Sequence, residues 1–378
     1  MADRRHAEIA GAGLGGLTAA AALAQRGWSV RVHERSPELR TAGAGIYVFE
    51  NGLRVLEAIG AYDAAVAGAH QAYLRETRDR NNRVVARMRF EPTPGRRTFT
   101  IVRQQLLEAI AAAARAVGAE IITGSEAVGA RPEGALLLAD GRRLEADLVI
   151  GADGVNSRVR ESLDLGLRRQ PLADGAIRML IPRLEEETAS EEGRKYIEHW
   201  SGHRRLLYVP CSRTDVYLAL TTLQSDDAAR ALPLDKAIWA ESFPHLAPLI
   251  ARIGSQGRWD RFEVIRLARW SAGRVAVLGD AAHAQAPNLG QGGGCAMMSA
   301  LGLAVALEER ADIEAALGLW ERRERPLVEH TQRVSSLYSK VTTWPDWLRT
   351  AAFGVVDRSR WLTAQRMRTA NAIPTGTH

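Results

Sequence analysis

Hydrophobic and polar positions along the chain follow two rhythms, one helical and one alternating. Ala7–Ala10 is a short apolar run, Gly15–Arg26 is dense in Ala and Leu until Gly27 ends it, and Ser29–His33 alternates Val30 and Val32 with polar neighbours. Those three segments predict a strand, a helix and a second strand, one βαβ unit. Helices are expected over Asn51–Ile59, ending at Gly60, and over Gln104–Val117. Residues 72–100 read as extended segments with polar turns. Ala135–Ala139 and Arg142–Ile150 predict a hairpin across Asp140-Gly141, a favoured tight-turn pair. Residues 171–265 alternate short strands, Arg205–Val209 and Val216–Thr222 among them, with one helix near Leu234–Phe243. Val275–Leu278 is a buried strand feeding Gly279-Asp280, Gly292–Glu309 returns to helix, and helical segments run to Gln365 before a polar tail. The pattern implies an α/β fold in which strand-rich material is inserted between pieces of a βαβ-type domain.

Composition narrows the class. With 46% hydrophobic and 25% charged residues in 378, the chain has material for one large domain or two interlocked ones. The formal charge is +6, but arginine is interspersed with Asp, Glu and Ala from end to end, which marks solvated faces and not a nucleic-acid patch. Cys211 and Cys295 cannot build a disulfide framework and lack metal-ligand spacing, so a reducing cytoplasm and no metal are expected. Met1–His6 leads straight into the first strand, leaving no room for a signal peptide's apolar region. No apolar run approaches the roughly 20 residues of a membrane helix.

The candidate chemistry begins at Gly11-Ala-Gly13-Leu14-Gly15-Gly16, between the first strand and helix. Gly11 permits a tight turn, Gly13 lets the backbone approach a pyrophosphate, and Gly16 allows close helix packing, while the helix start offers amide donors to the anion. Glu34, followed by Arg35, closes the second strand where a carboxylate accepts from an adenosine ribose. Acid at that place argues against a 2′-phosphate, so the dinucleotide is NAD-like or FAD. Two further strand-end motifs follow: Gly151-Ala-Asp153-Gly154 with Ser157 and Arg160, and Gly279-Asp280-Ala-Ala-His283 with Pro287 and Gly290-Gln-Gly292-Gly293-Gly294. An Asp at a strand end beside a helix start can accept from a ribityl hydroxyl, and the neighbouring amides can serve a phosphate or a flavin carbonyl. Taken singly, each such Gly-Asp is most often a turn.

Together and in this order, over at least residues 7–325, the three motifs resemble the FAD-dependent aromatic hydroxylases of the para-hydroxybenzoate hydroxylase type, the group A flavoprotein monooxygenases. Gly43-Ala-Gly-Ile-Tyr47, Asn51-Gly-Leu-Arg-Val-Leu-Glu57, Arg205-Leu-Leu-Tyr-Val-Pro-Cys211 and Gly294-Cys-Ala-Met297 are similar to the branch containing 2-methyl-3-hydroxypyridine-5-carboxylate oxygenase. Gly294, Met298 and Ser299 stand where most of the family carries Asn and an acidic residue.

The resemblance implies a Rossmann-like FAD-binding domain, residues 1–71, 98–168 and 266–325. It also implies an interleaved sheet-rich substrate domain, residues 72–97 and 169–265, and a C-terminal helical segment and tail, residues 326–378. It implies that NADH or NADPH reduces the FAD, that O2 yields a flavin C4a-hydroperoxide, and that a hydroxylated pyridine carboxylate or related N-heteroaromatic acid is hydroxylated, with ring opening in part of the branch. The alternatives are hydroxylation of a benzenoid phenolic acid without ring opening, and a non-catalytic flavin-binding protein. A halogenase would need an early catalytic lysine, and the first lysine here is Lys195.

By the same resemblance, Tyr47, Arg205 and Tyr217 line the substrate and act catalytically, Arg75 takes a substrate-lining place where the branch has tyrosine, and Pro287 shapes the cavity beside the flavin. An Arg can grip a carboxylate bidentately and a Tyr can donate to a ring oxygen. Arg103 matches the family's flavin-contacting arginine, and Gly11, Gly13, Leu14, Gly15, Gly16, Glu34, Arg35, Asp153, Asp280, Gly290, Gly292 and Gly293 complete the expected cofactor set. The expected partners are small molecules, without nucleic acid or membrane, in a monomer or homodimer.

Overall fold

The computed structural model describes residues 4–40, 44–90, 95–255 and 257–377. Gly43, the first residue of one quoted motif, lies outside them. A six-stranded sheet carries the βαβ unit: His6–Ala10 lies between Ser29–Glu34 and Leu148–Gly151, all parallel, with Val275–Val277 next outward. This order puts the ends of the first strand, of Leu148–Gly151 and of Val275–Val277 side by side, so the three glycine-containing turns open on one edge.

One expectation needs correcting. Arg142–Ile150 is not one hairpin arm: Arg143–Glu145 pairs back on Ala135–Leu138, and Leu148–Gly151 joins the parallel sheet. The break is held by Asp147, whose carboxylate accepts from the His6 amide at 2.7 Å, and by Ala146 N–H donating to Gly134 O at 2.8 Å.

A seven-stranded sheet takes its strands from Leu74–Arg78, Val84–Arg89, Arg168–Pro182, Tyr196–Ser201, Arg204–Pro210, Asp215–Leu223 and Trp259–Arg266. Its two faces are chemically distinct. Ile177, Leu206, Tyr208, Leu218 and Leu220 pack against Trp239 and Phe243 of its own helical cover. Residues of the opposite parity, among them Tyr217, Ala219, Thr221, Arg205, Leu207 and Glu198, face the FAD-type domain, as the register Arg205↔Thr221, Leu207↔Ala219 and Glu198↔Leu207 requires. The domains meet where Gly45, in Gly45–Phe49, presses on this sheet: a Cβ there would come 2.4 Å from Cys211 Sγ and 2.7 Å from Tyr217 Cβ. The long helix Ile313–Val341 closes the side, with Gln332 donating to Ile265 O and Ala284 O, and Ser335 to Ala286 O. Among the described residues no helix is long and apolar enough to cross a membrane.

Candidate flavin and substrate site

The glycine loop is shaped by contacts that admit no side chain. Gly11 holds φ +97°, and a Cβ on it would lie 2.5 Å from Ala152 O; a Cβ on Gly16 would lie 2.0 Å from Gly11 O. At Gly13 a Cβ would meet nothing within 4 Å, so the loop is open where a dinucleotide must approach. Gly13 caps Leu14–Gln25 with no side-chain bond and the first turn has no acid, leaving its amides available to an anion. A second uncapped helix start, Gly292 of Gly292–Glu309, lies beside the first: a Cβ on Gly293 would come 3.2 Å from Leu14 Cδ1, and one on Gly15 would come 3.4 Å from Ala296 Cβ. Two positive helix ends thus converge on one place.

Glu34 organises this loop as well as facing it. Its oxygens accept from Ala12 N–H at 3.0 Å and Ser36 N–H at 2.9 Å, and each keeps a further lone pair. Arg35 is exposed beside it. Asp153 departs from expectation: Ser157 Oγ, Arg158 N–H and Val159 N–H all donate to its carboxylate, which therefore fixes the turn into Arg158–Glu161. A ribityl contact from that side chain would compete with its own turn.

Asp280 is different. It is exposed, its carboxylate takes no hydrogen bond from the described residues, and the mass of protein around it raises its pKa against the pull of Arg103 and Arg178. Arg103 is close enough to act on it electrostatically. Arg103 makes no side-chain hydrogen bond to the described residues, its Nε is buried without a partner, and burial holds its pKa below the usual guanidinium range. His283 Nε2 and Gln285 Oε1 are also buried and unpartnered. The orphaned atoms of Arg103, near Asp280, and of Gln285, near Gly292, fit a polar isoalloxazine and its diphosphate beside the two helix starts.

Gly290, at φ +66°, faces Tyr47, whose Cβ a methyl there would meet at 3.1 Å. Tyr47 packs edge-on to Tyr196 at 5.2 Å. Neither the Tyr47 nor the Tyr217 hydroxyl bonds to a described residue, and burial pushes both phenols above their ordinary range, so both stay protonated donors. Leu180, Leu207 and Ala219 belong to the same apolar cluster as both rings. Gly294 explains the departure in the last motif: its missing side chain leaves room for Asn51, whose Nδ2 donates to Gln291 Oε1 at 3.1 Å and to Met298 Sδ at 3.1 Å.

Arg205 and Tyr217 share a face, but Arg205 lies opposite Thr221, four residues from Tyr217, about 13 Å along the strand. The expectation of a free arginine grip is corrected here. Arg205 is 7% exposed; Nη1 donates to Glu198 Oε1 at 3.2 Å, and Nη2 donates to Thr221 Oγ1 at 3.2 Å and Asn288 Oδ1 at 2.9 Å. Arg75 is paired to the same Glu198. Beside Pro287, Asn288 Nδ2 donates to Ser339 Oγ at 2.7 Å, and Tyr338 O–H donates to Glu198 at 3.0 Å. Glu198, Asn288, Tyr338 and Arg178, which pairs with Asp260 at 2.7 Å near Tyr217, were not singled out from sequence. A lone acid in the apolar stretch Tyr196–Trp200 was the available signal for Glu198.

Residues 5–322 match the FAD binding domain family model. The chain belongs to that family. A 2-heptyl-3-hydroxy-4(1H)-quinolone synthase of Mycobacteroides abscessus is 44% identical over 357 residues, covering 94% of this chain and 95% of that one. A 6-hydroxynicotinate 3-monooxygenase of Pseudomonas fluorescens is 31% identical, over 92% and 95% of the two chains. The solved tetrameric form of 2-methyl-3-hydroxypyridine-5-carboxylic acid oxygenase is 40% identical, with a TM-score of 0.87 over 97% and 96%. The protein is an FAD-dependent monooxygenase with the fold that the three motifs implied.

Proposed function

We propose that the protein uses NADH or NADPH and O2 to place one oxygen on an N-heteroaromatic ring, a 4(1H)-quinolone being the substrate class best supported. The observation that carries this reading is the pair of neighbouring phenols, Tyr47 and Tyr217, unbonded to any described residue and set in one apolar cluster, with Tyr47 against Gly290 of the flavin-type motif. The resemblance over nearly the full length to a 2-heptyl-3-hydroxy-4(1H)-quinolone synthase supports the ring class. A bound flavin supplies hydride acceptance and oxygen activation. The chain's own groups do the rest. Tyr47 and Tyr217 hold the ring oxygen by donating to it, which orients the neighbouring carbon. Leu180, Leu207 and Ala219 exclude water from the ring face. Arg103 and the helix starts hold negative charge on the cofactor side.

A second reading, a hydroxypyridine carboxylate with or without ring opening, is favoured by the 40% identical pyridine-carboxylate oxygenase. Oxidation of NADH and NADPH by the FAD-loaded protein, with a 2-alkyl-4-quinolone or a hydroxypyridine carboxylate and product masses recorded, separates the two. A quinolone product carrying one more oxygen supports the first; turnover of the carboxylate alone supports the second.

A further inference from the structure

The strand that ends at Glu34 carries a buried polar residue just before it, His33. Inner strands of a parallel sheet ordinarily hold apolar residues at such places. His33 and Glu8 depart from that pattern together: they are 1% and 0% exposed, on neighbouring inner strands. The register Ala10↔His33 and Glu8↔Arg31 puts both side chains, with those of Arg31 and His6, on one face of the sheet. His33 Nε2 lies 2.8 Å from Glu8 Oε2, and its Nδ1 lies 2.8 Å from Ser125 Oγ. Arg31 and His6 meet the other oxygen, Oε1, with His6 Nε2 at 2.9 Å. Burial works against the charge on Glu8, but hydrogen bonds from His33 and His6 and the charge of Arg31 hold its pKa below the usual carboxylate range. An ionised carboxylate only accepts, so the Nε2 of His33 carries a proton and donates it to this bond.

The main chain ties this network to the glycine loop. The His33 carbonyl accepts from Gly11 N–H at 2.8 Å, so the first glycine of the loop hangs on the residue whose ring Glu8 and Ser125 hold. One residue further along each segment, Ala12 N–H donates to Glu34 Oε2 at 3.0 Å. Ser125 also donates its own N–H to Glu34 O, at 2.9 Å. The Gly11 turn and the Glu34 carboxylate therefore rest on one dipeptide, His33-Glu34, anchored from beneath. An apolar pair would fill the same space by packing, which sets no direction. Hydrogen bonds at both ring nitrogens fix the ring and, through it, the end of the strand. Buried ion pairs are often no more stabilising than apolar replacements, and fixing registry is their best-attested use.

We propose that His33, held by Glu8 and Ser125, is a positioning residue for the cofactor: it sets where the Gly11 turn and the Glu34 carboxylate stand, and thereby the affinity for FAD through its adenosine half. His33 touches no ligand in this role and acts only through Gly11 and Glu34. The role is independent of the substrate class.

The test replaces the polar pair with an apolar one, Glu8→Leu together with His33→Leu. FAD is titrated into the FAD-free protein, followed by flavin fluorescence well below the unfolding temperature, so that only folded protein is read. Arg31 and His6 are 37% and 22% exposed and can turn to water once Glu8 is gone. FAD affinity is expected to fall about tenfold or more, while the unfolding temperature of the FAD-free protein stays within a few degrees of wild type. His33→Gln, whose amide can still donate to Glu8, is expected to bind FAD within about threefold of wild type. A merely structural role would lower the unfolding temperature and leave FAD affinity in place, and wild-type affinity in the double variant overturns the proposal. An equal loss of affinity in His33→Gln and the double variant also overturns it, because the bond to Glu8 would then position nothing. Should the double variant fail to fold, Ser125→Ala decides, since it removes only the hydroxyl that meets Nδ1. An affinity lowered about threefold or more upholds the proposal, and wild-type affinity overturns it.

Discussion

Asn288 Oδ1 accepts a hydrogen bond from Arg205 Nη2 at 2.9 Å, joining the loop beside the flavin site to the substrate-facing sheet. The same amide donates to Ser339 Oγ at 2.7 Å, so one side chain ties together the loop, the sheet and the helix Ile313–Val341. Replacing Asn288 with Ala leaves Arg205 Nη2 with Thr221 alone and strips Ser339 of a partner. We expect a stability loss of about 1–3 kcal/mol. We also expect a larger share of reductant consumed without product, with FAD content kept. Coupling at the wild-type level would show that this tie does not position the substrate sheet.

Gly11 and Gly13 separate folding from cofactor binding. Gly13→Ala adds a methyl into open space at an ordinary φ of −78°, so thermal unfolding of the FAD-free protein should barely change while FAD affinity falls at least tenfold. Gly11→Ala forces a side chain into a φ of +97° and a 2.5 Å contact with Ala152 O, so it should destabilise the FAD-free protein itself. Differential scanning calorimetry beside flavin fluorescence titration reads both effects.

Tyr217→Phe and Tyr47→Phe each remove one donor and leave the ring in place. Each should lower kcat/KM about tenfold, on the order of 1.4 kcal/mol, with retained flavin. Steady-state kinetics check this, and an unchanged kcat/KM in both variants would remove the phenols from the substrate's hydrogen-bonding set.

His199 and His283 are buried, and burial pushes their pKa values down to about 3 and about 4. In the unfolded chain each titrates near 6.5, so between that value and the folded one the unfolded state binds the extra protons. Stability from these groups is therefore present above about pH 6.5 and is lost as pH falls. By pH 5 each should contribute a loss on the order of 1–2 kcal/mol, and the carboxylates held low by arginines act only at lower pH. Urea unfolding at pH 7 and pH 5 should show the decline, and His199→Gln should make it shallower.

The flavin half was legible because its constraints are local. The spacing of Gly11, Gly13 and Gly16 between a strand and a helix encodes a turn whose steric reasons lie within a few residues of each other, and the strand and helix limits there moved by a residue or so. The substrate half was legible in its strands but not in its pairings. Arg205 and Tyr217 were recognisable, whereas the partners of Arg205 are Glu198, Asn288 and Tyr338, which reach it from another strand, a loop and a distant helix. Arg75 meets Glu198 across 123 residues, through a parallel strand pairing that no local pattern announces. Asp153 shows the converse: a motif residue whose carboxylate is engaged by its own turn.

The most direct test of the account is the product formed by the FAD-loaded protein from a 2-alkyl-4-quinolone under isotopically labelled O2 with NADH or NADPH. The account predicts a product that gains one labelled oxygen atom, with the ring intact. Reductant oxidised without any labelled product, or label entering only an aromatic carboxylate substrate, would contradict it.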